Sequence, residues 1–218
     1  MTGGAPRHST IAGLILAAGE SSRMGQDKAL LKYRGRTFLE TIVAKLREAG
    51  IGRVAVVLGH HAETVRQAIG WSGTGPAGVE VVINPNYRHG QTSSLQAGLS
   101  AFERPAAESA PRSNPPDAIV LCLVDHPAFD PATVTALLEA FERTRAPVIV
   151  PIHGGRRGHP VLIARPLFAP LAALRADEGA NRVIHAWHGQ TKQVDVPDPG
   201  ILVDVDDPAA YRDLVETG

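Results

Sequence analysis

The chain has 218 residues, 44% of them hydrophobic, and 22 basic side chains balanced by 22 acidic ones. That length suits one compact domain with a sizeable core, and the charge balance excludes a basic field for nucleic acid or anionic membranes. The single cysteine, Cys122, excludes an internal disulfide framework and a thiolate zinc site, and suits a reducing cytoplasm.

The first ten residues, MTGGAPRHST, carry no apolar core of a secretory signal, and residues 1–10 read as disordered. No apolar run reaches the roughly 18 residues that span a bilayer, so the expectation is a soluble, cytoplasmic protein. IAGLILA (11–17) is a near-continuous apolar run, the mark of a strand covered on both faces. FLETIVAKLREAG (38–50) has Leu39, Ile42, Val43 and Leu46 at helical spacing and Gly50 as a stop. A strand at 53–59, a short helix at 61–70, a strand at 79–85 and a helix at 90–103 follow. Residues 104–117, RPAAESAPRSNPPD, lack periodicity and read as a flexible surface excursion within one domain spanning 1–218. The alternation then resumes: strand 118–125, helix 131–145, strands 147–152 and 160–164, helix 166–176, strands 192–197 and 201–206, helix 208–216. This order predicts a three-layer α/β/α domain with a mostly parallel sheet, whose ligands sit beyond the carboxyl ends of the strands.

Behind the first strand stands LAAGESSRMGQDK (16–28). Its glycines fit neither the dinucleotide fingerprint nor the P-loop. Small residues that let backbone N–H groups approach, with Arg23 and Lys28 beside them, are still the ingredients of an anion site. A plain strand–helix turn with solvated charges is the alternative. Asp125 closes a buried strand, where a carboxylate is costly unless it is paired, metal-bound or spent on capping a helix. Ser93 and Ser94 stand where a helix begins, and either cap it or face a ligand. Arg156 and Arg157 lie in GGRRGHP (154–160), as a binding loop or as ordinary exposed charge. His60-His61 with Glu63, and His185 with His188, read as structural or solvent-facing, because nothing in the sequence completes a ligand set. Cys122 reads as a core residue.

The opening loop resembles the L-A-[AG]-G-x-S-x-R-M-G-x-x-K signature of the MobA-like nucleotidyltransferases, particularly the molybdenum cofactor cytidylyltransferase branch. NPNYRHGQTSSLQAGL (84–99), LVDHP (123–127), RGHPVLI (157–163) and VDVDDPAAY (203–211) extend the resemblance over nearly the whole chain. It implies a Rossmann-like, GT-A-type nucleotidyltransferase fold with a mostly parallel mixed sheet. It implies Arg23 and Lys28 on the phosphates of a nucleoside triphosphate, with Leu16, Ala17, Ala18 and Gly19 along base and ribose, helped by Ser93 and Ser94. Ala18, in an L-A-A-G context, tips the nucleotide toward CTP and away from GTP. Asp125 and Asp206, with Asp204 in reserve, would hold Mg²⁺. Arg157, Gly158 and His159 would face a molybdopterin-type acceptor, whose product would pass to a molybdenum hydroxylase. His126 and Asp207 depart from the family pattern, which usually has Gln or Met at the first position and Thr at the second. Other readings are a transferase with GTP or another acceptor, a non-catalytic nucleotide-binding maturation protein, and an oxidoreductase on the same fold.

Overall fold

A computed structural model describes residues 10–71, 75–103, 114–175 and 177–217. The expectations for residues 1–10 and 104–117 therefore fall outside the described residues except at Thr10 and 114–117. At the edges of those segments, Asp117 accepts a hydrogen bond from the Thr10 backbone N–H at 2.9 Å.

In chain order the elements are β1 (Ile11–Ala17), β2 (Lys32–Tyr33), β3 (Arg36–Thr37), α1 (Phe38–Glu48), β4 (Val54–Leu58), α2 (Ala62–Ala68), β5 (Val79–Ile83), α3 (Gln91–Glu103) and β6 (Ala118–Leu123). They continue with α4 (Pro131–Thr144), β7 (Val148–His153), β8 (Arg156–Arg157), β9 (Val161–Ala164), α5 (Phe168–Ala172), α6 (Asn181–Ala186), β10 (Thr191–Asp195) and α7 (Pro208–Thr217). The main sheet runs β10-β7-β9-β6-β1-β4-β5, with β8 added to β7. β1 pairs in parallel with β4 and β6, and β4 with β5, while β9 runs antiparallel to both β6 and β7. The chain is thus an α/β protein with a mostly parallel mixed sheet.

Alternation along the strands builds two cores. Ile15, Val56, Val120 and Cys122 face α1 and α4, while Leu14, Val57, Ile119 and Leu121 face α3 and α5. Each inner strand is apolar on both sides because both sides are covered. Glycine eases one of the close approaches: a Cβ on Gly98 would press on the tip of the Leu14 side chain, so the glycine lets α3 settle on β1 without displacing it. Helix α1 begins at a capping box, Thr37 and Glu40 each satisfying the other's backbone N–H.

The segment 201–206, expected as a strand, is not one. A 3₁₀ turn covers Pro199–Leu202, and the chain then crosses over the carboxyl ends of the other strands. Its backbone bonds go to loops: the Val205 N–H donates to the Asp125 carbonyl (2.9 Å), and the Ile201 carbonyl accepts from the His159 N–H (3.0 Å). Ile201 and Val205 are buried under that crossing, which is why the segment imitates strand patterning. The Asp198 carboxylate pins it, accepting from the Asp130 N–H (2.7 Å), the Thr133 hydroxyl (2.7 Å) and the Gly200 N–H (2.9 Å). Among the described residues no helix is long and apolar enough to cross a membrane.

Candidate active site

The carboxyl ends of β1 and β6 converge on a cleft of about 270 Å³ lined by Leu16–Gly19, Ser21–Arg23, Asp27–Ala29, Tyr87, Gly90, Gln91, Ser94, Leu123–Asp125 and Asp206. The opening loop is held in shape from within. Ser21, at φ 49, and Gly25, at φ 69, turn the chain back. The Ser21 hydroxyl accepts from the Lys28 N–H at 3.0 Å, and its carbonyl accepts from the Met24 N–H at 2.9 Å. Met24 is buried in the core, so the loop is bolted down between its two basic residues.

Those two residues stand in different surroundings. The Lys28 side chain is 11% exposed, and its ammonium donates to Asp206 Oδ1 at 2.7 Å and Asp125 Oδ2 at 3.1 Å. Arg23 reaches Asp206 Oδ2 at 3.2 Å, but at 70% exposure this contact is a weak, solvent-screened pair. Burial works to lower the Lys28 pKa; the Asp206 hydrogen bond and the Asp125 charge outweigh it, leaving the group above its ordinary value. In return the Lys28 hydrogen bond holds Asp206 below the usual carboxylate range. Asp204 is pushed the other way, by burial and then by the Asp125 charge. One donor atom each from Asp125, His126 and Asp204 lies within 4.8 Å of the others. Asp206, expected as the second ligand, is not in this group and pairs instead with Lys28 and Arg23; two carboxylates with one imidazole are donors that can hold a divalent cation, with the reserve candidate Asp204 beside Asp125.

Leu16 to Gly19, Arg23, Lys28, Ser94, Asp125 and Asp206 thus share one cleft. Ser93 does not line it: its hydroxyl is engaged with the carbonyls of Asn86 (2.9 Å) and Gly90 (2.8 Å). Asn84, buried under the start of α3, donates to both Ser93 and Ser94 and was not singled out in the sequence. Arg157, Gly158 and His159 line a neighbouring cavity of about 290 Å³ instead, together with His185 and His188. Gly158 is required by packing, since a Cβ there would strike the Ile201 backbone. Arg157 is exposed, and the Gln193 amide oxygen, in the orientation satisfying both groups, accepts from its Nε (3.2 Å) and Nη2 (2.8 Å).

His159, which lines the second cavity, stands beside His126, the neighbour of Asp125 in the chain. The rings of His126 and His159 lie 4.8 Å apart, and His126 Nε2 is 3.9 Å from Asp204. Burial, then the neighbouring His126, lower the His159 pKa to about 4 despite the Asp125 charge. Asp207, the other departure from the family pattern, accepts from the N–H groups of Ala209 and Ala210 at 2.9 Å and caps α7. Aspartate and threonine are both capping residues, so the change costs the fold little.

An open, mostly parallel sheet carrying a lysine–carboxylate cluster in a cleft at its strand ends defines a nucleotide-handling α/β enzyme. The chain belongs to the MobA-like NTP transferase domain family, whose model matches residues 13–194. It is 24% identical over 200 residues to the molybdenum cofactor cytidylyltransferase of Escherichia coli (strain K12), covering 92% of this chain and 93% of that one. It is 29% identical over 211 residues to nicotine blue oxidoreductase of Paenarthrobacter nicotinovorans, covering 90% and 92%. The crystal structure of Rv0371c from Mycobacterium tuberculosis H37Rv in complex with manganese superposes with a TM-score of 0.70, at 29% identity, over 96% of this chain and all of that one.

Proposed function

We propose that this nucleotidyltransferase moves CMP from CTP onto the phosphate of a molybdopterin-type acceptor, as a cytoplasmic step that would supply a molybdenum hydroxylase. The observation that carries the reading is Lys28, an ammonium held by two carboxylates at the floor of the cleft behind LAAGESSRMGQDK. Such a group already neutralises negative charge and can exchange a carboxylate for a phosphate oxygen.

In the proposed reaction an acceptor phosphate oxygen attacks the α-phosphorus in line. The bond from that phosphorus to the bridging oxygen breaks, and pyrophosphate leaves. The acceptor phosphate is already ionised at neutral pH, so no general base is required. Lys28 and Arg23 balance charge on the triphosphate, and Leu16 to Gly19 with Ser94 fix base and ribose. Mg²⁺ on Asp125 with Asp206 or Asp204 would supply Lewis-acid polarisation of the phosphates and help align them. The manganese bound to the related Rv0371c supports a divalent cation in this family. Arg157 and the neutral His159, with Gly158 keeping their loop close to Ile201, would receive the acceptor from the neighbouring cavity. Cytosine preference rests on Ala18 and on the cytidylyltransferase relative.

The test is pyrophosphate release with CTP, GTP and ATP in Mg²⁺, with and without molybdopterin. Turnover with CTP alone supports the reading, and turnover with GTP alone corrects the base. No release with any nucleotide overturns it. A second reading, oxidoreduction, is favoured by the 29% identity to nicotine blue oxidoreductase. Its signature would be nicotinamide-cofactor oxidation with no pyrophosphate released.

A further inference from the structure

His60 and His61 stand one residue behind Gly59, at the junction between β4 and α2. Glu63, their neighbour in sequence, is taken by Arg66 and Gln67, each at 3.0 Å. The fold supplies a different carboxylate. His61 Nδ1 lies 3.3 Å from Asp27 Oδ2, and His60 Nδ1 lies 4.0 Å from Asp27 Oδ1. One donor atom from each of the three residues is within 4.8 Å of the others.

Adjacent side chains in an extended chain point to opposite sides. Here His61 takes a left-handed φ of 49°, and the two imidazoles lie with centroids 3.7 Å apart, their planes inclined by 38°, both turned toward Asp27. Asp27 precedes the 3₁₀ turn Lys28–Leu30 but accepts no capping hydrogen bond, and its side chain is only 12% exposed. Within the described residues, His60 Nδ1 is buried with no hydrogen-bond partner.

We infer that Asp27, His60 and His61 form a second cation site, for a borderline divalent metal such as Zn²⁺, separate from the carboxylates around Asp125. Two imidazoles and one carboxylate are a donor set that binds nitrogen-preferring metals better than Mg²⁺. Bonds of about 2.0–2.1 Å around a tetrahedral ion put donors roughly 3.4 Å apart. The His61–Asp27 spacing already meets this, and the His60–Asp27 spacing closes with a small ring movement. Asp27 adjoins Lys28, and the His60 N–H donates to the Ala18 carbonyl at 3.2 Å, so the ion would brace both ends of the opening loop.

The inference goes beyond the proposed transfer and is tested without nucleotide or acceptor. Metal-stripped protein is titrated with Zn²⁺ by calorimetry and with Co²⁺ by visible absorption. A tight site beyond any at the Asp125 group is expected. His60→Gln and His61→Gln should each weaken it at least about 10-fold, since even groups behind a ligand cost roughly 10–100-fold, whereas Asp125→Asn leaves it unchanged. Circular dichroism of each variant checks folding. Should a variant fail to fold, selective broadening of the His60 and His61 ring signals by Co²⁺ in the wild-type protein supports the site, and its absence counts against it. Wild-type-like affinity in both histidine variants, loss only in Asp125→Asn, or no binding tighter than millimolar overturns the site and leaves an ion pair.

Discussion

Lys28 and Lys45 are both drawn out of water, and the protein treats them in opposite ways. Lys28 faces two ionised carboxylates and sits above its ordinary pKa, burial notwithstanding. Lys45, on α1, meets only neutral acceptors. Its ammonium donates to the carbonyls of Pro127 (2.7 Å) and Phe129 (2.5 Å), 5.1 Å from the Phe129 ring centre. Burial, only partly opposed by the charge of Asp198, pushes it down to about 8. The difference separates two jobs. Lys45 ties down the turn that follows Asp125, whereas Lys28 holds exchangeable anionic partners at the floor of the cleft.

Removing the cleft lysine breaks the comparison most directly. Lys28→Met should lower kcat/KM for pyrophosphate release by about 10²–10³-fold, the usual cost of one charge-stabilising donor, with the circular dichroism unchanged. Full activity in that variant would sink the catalytic assignment. Asp198→Ala tests the structural side. It strands three buried or half-buried donors and should cost roughly 3 kcal/mol in denaturant unfolding, at one to three per unsatisfied group. A loss under half a kilocalorie would show that water replaces it freely.

Lys45 sharpens the comparison through pH. Its folded pKa lies below the unfolded 10.5, so between about 8 and 10.5 the unfolded chain holds more protons. Stability attributable to this group therefore rises with pH across that window, by up to roughly 3 kcal/mol. Lys45→Met should flatten the rise in unfolding curves measured between pH 7.5 and 10. An unchanged slope would mean that its ammonium reaches water after all.

What the sequence made legible follows from what each signal depends on. The apolar runs of β1, β4 and β6 are buried on both faces, and that demand is local and strong. The loop from Leu16 to Lys28 was legible because its small and basic residues are consecutive. The 201–206 segment misled because Ile201 and Val205 are buried by a crossing loop, and alternation records burial rather than pairing. Asn84 and Asp198 stayed hidden for the same reason: their partners lie at distant positions that only the fold brings near. Asp27 with His60 and His61 is the extreme case, in which the sequence offered Glu63 and the tertiary structure substituted another carboxylate.

An effect of the same size as that at Lys45 asks whether opposite treatment extends to the imidazoles. Burial first, and then His126, lower the His159 pKa to about 4 from an ordinary 6.5, against the pull of Asp125. At neutral pH His159 is an uncharged group, and the positive charge in its cavity falls to Arg157. Between about 4 and 6.5 the unfolded chain binds the extra proton, so stability from this group climbs with pH and is lost as pH falls. His159→Gln keeps a polar side chain without the titration, and should remove up to roughly 3 kcal/mol of acid sensitivity across that window in urea unfolding. If the acid limb keeps its steepness in the variant, the proton enters elsewhere.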